Sequence, residues 1–179
     1  MRTAFILIFL TTKLFGQILT VKEVEKYVKT IDSLKNANGL QKLVNPNVSR
    51  CSGAVEGYYL KNKLVFIDAV KQETLGYSGK TIYLKDTTIY KIIYREHYPE
   101  WEKYFKKHPG QKKVTDPLKM TYTDTLYAVI YCKPVSFVKT SNKKLINNKI
   151  DNNLVNSLLF CGREMKRELE SLKKSTKAK

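Results

Sequence analysis

Residues Gly53–Val70 read GAVEGYYLKNKLVFIDAV. Two runs rich in β-formers, Ala54–Leu60 and Leu64–Gln72, flank Lys61-Asn62-Lys63, a short turn in which asparagine can take a positive φ. Strict alternation puts Val65, Ile67 and Ala69 on one face of the second run, and Leu64, Phe66 and Val70 on the other with Asp68. Both faces are largely apolar, so this strand is expected inside a sheet and covered on at least part of both sides. Any docking face should then lie elsewhere, on the later tyrosine-bearing strands or the 97–118 excursion.

The chain on either side extends or covers this hairpin. Leu75–Gly79 reads as a loop. Lys80–Lys85 and Thr88–Glu96 form a second hairpin around Asp86-Thr87, with Ile82/Leu84 and Tyr90/Ile92/Tyr94 alternating as in half-buried antiparallel strands. Pro99 opens a short helical stretch, PEWEKYFKKH, and a basic loop then runs through Pro117. Met120–Cys132 is a long strand, Val135–Lys139 an edge strand, and Ser141–Lys149 a polar loop. Two amphipathic helices bracket the strands. Leu19–Lys35 carries Val21, Val24, Val28 and Ile31 at three- and four-residue steps, with a stop at Asn36–Gly39 where Gly39 can turn left-handed. Ile150–Lys174 carries Ile150, Leu154, Leu158, Cys161, Met165, Leu169 and Leu172 in one stripe, and Gly162 within it marks a close approach to the sheet. The expected fold is α+β: an antiparallel β-meander of about five to six strands flanked by an N-terminal and a C-terminal amphipathic helix. It forms a single domain over 17–179 with a basic C-terminal tail.

Met1–Gln17, MRTAFILIFLTTKLFGQ, has a positive start at Arg2, an apolar run at Ala4–Leu10 and a small residue at Gly16. The run is shorter than the roughly 20 residues a bilayer requires, so residues 1–16 are expected to be a cleaved signal peptide. Cleavage leaves no transmembrane segment and places the protein in a periplasm or outside the cell. The 179 residues carry a formal charge of +17, from 28 lysines and only 5 arginines scattered over helix faces, turns and loops. Specific phosphate recognition favours the arginine fork, and export removes nucleic acid as the usual partner, so no nucleic-acid role is expected. Cys51, Cys132 and Cys161 allow at most one internal bridge and leave one thiol over, with all three pairings open. Cys161 also fits as a buried small hydrophobe. The cysteine spacings match no zinc pattern.

At Ser52-Gly53-Ala54-Val55-Glu56-Gly57-Tyr58-Tyr59, followed by Lys63-Leu64-Val65, the chain resembles a group of small secreted proteins of Bacteroidetes-type bacteria. That group carries a Gly-Gly-x-x-x-Gly-Tyr-Tyr strand, a turn, a leucine-rich strand and further hairpins, which Ile82–Ile93 resembles. Ser52 stands where the group has its first glycine, and Asp86-Thr87 where it has Asn-Gly. The resemblance implies a fold and export, and it carries no catalytic residue.

Chemistry is sparse. Glu96, His97, Glu100 and His108, with Asp68, are the acid–base candidates, because histidine beside a carboxylate titrates near neutrality. No helical metal-ligand spacing is present, so no metal and no cofactor are expected. Tyrosines on a sheet face are the binding candidates, with Tyr90, Tyr94, Tyr127 and Tyr131 foremost; packed beneath the helices they would be structural instead. The leading expectation is a non-enzymatic binding module with a protein, peptide or anionic envelope component as partner. The alternatives are an extracytoplasmic hydrolase using the His97/Glu100 region, and an electrostatic binder of anionic envelope lipid or polysaccharide using Lys166, Arg167, Lys173 and Lys174.

Overall fold

A computed structural model of the chain describes residues 20–46, 51, 53–73, 76–110, 122–132, 135–141, 144–147 and 152–177. The signal segment therefore lies outside the described residues, as do Ile150 and most of the basic loop before Pro117. Helix α1, Val21–Asn36, starts at a capping box: the Thr20 hydroxyl accepts from the Glu23 amide at 3.3 Å, and the Glu23 carboxylate accepts from the Thr20 amide at 2.6 Å. It ends in a Schellman motif, with the Gly39 amide donating to the Leu34 carbonyl and the Asn38 amide to that of Lys35. Asn38, at φ 55°, takes the left-handed position expected of Gly39. Asparagine tolerates that region, so the glycine one step later is not needed for it.

The strands follow as β1 (Gln41–Asn45), β2 (Val55–Leu60), β3 (Lys63–Glu73), β4 (Gly76–Lys85) and β5 (Thr88–Pro99). Helix α2 (Trp101–Lys107), β6 (Tyr122–Cys132), β7 (Val135–Ser141), β8 (Lys144–Asn147) and helix α3 (Asn152–Lys177) complete the chain. Every pairing is antiparallel and joins sequence neighbours, so the sheet is an open meander in the order β1 to β8. The six strands expected from sequence are β2 to β7. Two short strands extend them: β1, and β8 within the stretch read as a polar loop. Of the loop expected at 75–79, residues 76–79 are instead the start of β4, where Tyr77 and Ser78 alternate in burial with their neighbours, and Leu75 lies outside the described residues. Pro99 closes β5 rather than opening the helix, which begins at Trp101.

Both hairpins turn on two left-handed residues, Lys61 and Asn62 at φ 46° and 67°, Asp86 and Thr87 at φ 47° and 68°. This is the twist-matching geometry of tight hairpins. Each turn is followed by a bulge: Tyr59 pairs with Leu64 but Tyr58 with Phe66, and Leu84 pairs with Ile89 but Tyr83 with Lys91. The extra residues, Val65 and Tyr90, therefore face the same way as Phe66 and Lys91. This corrects the strict alternation read for β3: Leu64, Ile67 and Ala69 face α3, whereas Val65 and Phe66 face α1.

The two helices lie on opposite faces. α1 buries Val24, Val28 and Ile31 against Tyr58, Val65, Phe66, Tyr83 and Ile93. α3 buries Val155, Leu158, Met165 and Leu169 against Val55, Leu64, Ile67, Ile82, Ile92 and Ile130. Each such side chain contributes about 1.5–3 kcal/mol by leaving water. Two glycines bring α3 close to the sheet. A Cβ at Gly162 would stand 2.8 Å from Ile89 Cδ1, and one at Gly57 would stand 2.8 Å from Leu169 Cδ1. Cys161, read as a small core hydrophobe, is instead bridged to Cys51, fastening the middle of α3 to the segment before β2. No helix among the described residues is long and apolar enough to cross a membrane.

Candidate functional site

The tyrosines of the sheet do not share one surface. Tyr90 and Tyr131 lie on the α1 side. Tyr90 meets Tyr27 edge-on at 6.0 Å, and the Tyr131 hydroxyl donates to Glu25 at 2.6 Å. Lys91 donates to the same Glu25 oxygen at 2.6 Å. Burial by itself would raise the Glu25 carboxyl, but the hydrogen bonds from Lys91 and Tyr131 outweigh it and hold the group below its ordinary range. Tyr83 donates to Asp32 at 2.8 Å, and burial together with that carboxylate pushes the Tyr83 phenol up. These hydroxyls join α1 to the sheet. Tyr94 faces the α3 side, where its hydroxyl donates to Glu96, and the buried Lys80 ammonium lies 5.4 Å from its ring while donating to the Cys51 carbonyl at 2.9 Å. Tyr127 pairs in register with Arg95, and its side chain lies outside the described residues.

Helix α1 covers the turn end of its face of the sheet, its last cation, Lys35, reaching Asp68 at 3.6 Å. Beyond Asp68 a cross-strand row runs Val70, Gly79, Arg95, Tyr127. Val70 is 50% exposed, the space above Gly79 is open to 4 Å, and Arg95 is exposed. In the next row Tyr77 stacks on His97 at 4.3 Å. Of this row only Tyr127 is among the binding residues expected from sequence. The rest, a valine two positions beyond the charged Asp68 facing a glycine and an arginine, becomes visible only once the register is known.

The acid–base candidates are spread apart. Glu96 faces α3 with Tyr94, whereas His97 stacks on Tyr77 on the other face. Glu100 pairs with Lys103 at 2.6 Å. His108 stacks on Tyr104 at 4.5 Å, its Nδ1 2.9 Å from the Tyr104 carbonyl oxygen. Asp68 is held by Lys35 and Thr81. Among the described residues no three histidine, cysteine or acidic side chains gather as a metal site.

A cleft of about 490 Å³ opens at the turn end on the α3 side, lined by residues that include Tyr59, Leu64, Thr87, Glu170, Lys173 and Lys174. Both hairpin turns form its wall, and α3 grips them. Lys166 donates to the Thr87 carbonyl at 3.1 Å and Lys173 to that of Asn62 at 3.0 Å. Lys63 and Asp86 join the turns directly at 3.0 Å. Lys173 also sits 3.7 Å above the centre of the Tyr59 ring. Two of the four cations read as a membrane-facing set, Lys166 and Lys173, are thus turned onto the sheet. Their spacing with Glu170 places all three on one helix face, a sign of this cleft that sequence reading did not take up.

No family model matches this chain, and neither a curated protein nor a solved structure matches it.

Proposed function

We propose that the protein is an exported, non-enzymatic binding module that engages a protein or peptide across the open half of the α1 side of its sheet. The observation that carries this reading is the uncovered Val70–Gly79–Arg95 row, on a sheet whose described surface is otherwise largely covered by helices or closed by hydrogen-bonded tyrosines. The row offers an apolar side chain, a flat glycine step and a guanidinium, a combination suited to an extended segment with an acidic residue. The charge of +17 favours an acidic partner in the same way. Export is supported by the apolar segment at 1–16 and by the Cys51–Cys161 bridge, which persists in oxidising compartments. The dispersed His97, Glu100 and His108 do not favour the hydrolase alternative, and the inward-turned Lys166 and Lys173 do not favour an electrostatic membrane binder.

The test is capture from the native envelope by the mature chain, at low and high salt, with Val70→Glu and Arg95→Glu compared against wild type. A partner retained by the wild type at both salt concentrations and lost with both variants supports the reading. Capture unaffected by either variant removes this surface from consideration.

A further inference from the structure

We propose that the outer edge of β1 and the flank of α3 beside it form a groove for an extended peptide segment, which adds to the sheet as a further strand. β1 is the first strand of the meander, and among the described residues it pairs with β2 alone. Over Gln41–Val44 its outer edge presents the alternate amides and carbonyls that an added strand completes. Natural edge strands are commonly guarded by an outward lysine. Here Lys42 is turned back onto the sheet, 2.6 Å from Glu56 on β2, and its same-face neighbour Val44 is 44% exposed. The edge is left unguarded.

Two cavities follow one another along this edge on the α3 side. One, of about 330 Å³, is lined by Gln41, Leu43, Tyr59, Lys173 and Thr176. The other, of about 470 Å³, is lined by Asn45, Arg167, Glu168, Ser171, Leu172 and Ser175. Leu43 and Asn45 stand two residues apart on β1, the repeat of side chains on one face of a strand, about 6.5 Å. Successive same-face side chains of an added strand therefore fall one into each cavity. A compact ligand fills one and leaves the other; the spacing is that of a polypeptide.

The larger cavity sets the chemistry of one side chain. Arg167 is held by Glu164 at 2.5 Å, and the Ser175 hydroxyl donates to the Leu172 carbonyl at 2.8 Å. Glu168 Oε2, by contrast, is buried without a hydrogen-bond partner, a state that costs stability until a donor reaches it. On a chain of charge +17 a carboxamide supplies that donor without adding a further cation. The smaller cavity, between Leu43 and Tyr59, takes an apolar side chain. In an antiparallel strand the residue opposite Asn45 precedes the one opposite Leu43, so the segment reads Gln-x-Leu, with the middle residue on Val44. The groove lies away from the Val70–Gly79–Arg95 row and is independent of it.

The probe is the peptide acetyl-Ser-Thr-Gln-Val-Leu-Thr-Ser-amide, titrated into the mature chain and followed by backbone amide shifts. Saturable one-to-one binding is expected, with the largest shifts over Gln41–Asn45 and along α3 from Glu168 to Thr176. A scrambled peptide, and the peptide with glutamate for glutamine, should each bind at least roughly tenfold more weakly, the scale of losing a hydrogen bond to a charged group. The preference for glutamine over glutamate should disappear in Glu168→Gln, which keeps the size of the side chain. Methylating the amide nitrogens of one alternate set of peptide residues should abolish binding, and methylating the other set should leave it, because only one set faces β1. That comparison uses the unaltered protein and needs no variant to fold; a thermal melt checks Glu168→Gln. Absence of saturable binding, equal binding of the scrambled peptide, two methylation sets that behave alike, or a preference undiminished in Glu168→Gln would each overturn the proposal. So would a peptide-free dimer with its β1 amides protected from exchange, which makes a second copy the occupant.

Discussion

Gly53 lies so close to Val70 that a Cβ on it would stand 2.7 Å from the Val70 carbonyl oxygen, the atom to which its own amide donates at 3.2 Å. The obstacle is backbone and cannot rotate away. Gly53→Ala is therefore expected to cost about 1–3 kcal/mol, the scale of overpacking. That corresponds to a melting point lower by roughly 2–10 °C for a chain of this size. Gly79→Ala is the control, since the space there is open, and it should be neutral or slightly stabilising. Equal losses at both positions would mean that the close approach of Gly53 is not what matters.

The Cys51–Cys161 bridge spans 110 residues of sequence. A loop of that length places it at the upper end of what cross-links contribute, and Cys51→Ser with Cys161→Ser should lower stability by about 2–5 kcal/mol. Thiol counting on the unfolded, unreduced chain should find one reactive group, Cys132. Three groups, or none, would contradict the pairing.

Stability should fall at both ends of the pH scale for opposite reasons. Burial, helped by Asp86 for Tyr27 and by Glu170 for Tyr59, pushes both phenols up from 10.0 to about 12. The folded state favours the neutral phenol, so this stability is complete below pH 10 and is lost as the pH rises from 10 to about 12. Tyr59→Phe should flatten that arm of a plot of melting point against pH. Glu25 and Glu56 are depressed below 4.5, against the effect of their own burial, by lysine and tyrosine donors. Their contribution is present above pH 4.5 and disappears as the pH falls below it. Glu25→Gln should weaken the acid dependence. An unchanged acid arm would show that the Lys91–Glu25–Tyr131 junction does not act through charge.

Thr87 holds φ 68°, a strained conformation for a β-branched residue. Thr87→Gly should relieve roughly 1 kcal/mol and raise the melting point by a few degrees. The Thr87 carbonyl that Lys166 holds is backbone, so the grip of α3 is retained. A lower melting point would show that the Thr87 side chain has a stabilising role at the turn.

The elements were legible because their signals are local. The stripe at Val24, Val28 and Ile31 and the one at Leu158, Met165 and Leu169 settle both helices, and Gly162 announced its close contact. What the sequence hid depends on register. The bulges after each turn add one residue, Val65 and Tyr90, and reverse the side on which all earlier neighbours fall. The polar β1 and β8 have no alternation of their own and become strands only because a neighbour offers its edge. The partner of Cys51 is decided by where α3 crosses the sheet, which no spacing encodes. The open Val70–Gly79–Arg95 row comes from three strands at once. The cleft likewise draws on two turns and a helix far apart in the chain.

The order of the meander has a consequence for how the chain is assembled. Each strand from β2 onward adds to the strand made just before it, so the sheet grows without waiting for distant segments. Helix α3 is the exception. It follows every strand in the chain, yet Val155, Leu158, Met165 and Leu169 belong to the buried cluster around Ile67, Ile82 and Ile92. Until it docks, the apolar residues beneath it are bare to water and to other chains. Docking of α3 thus closes a face that the strands cannot cover themselves: a chain truncated before Cys161 would keep its strands and aggregate through the face they leave uncovered.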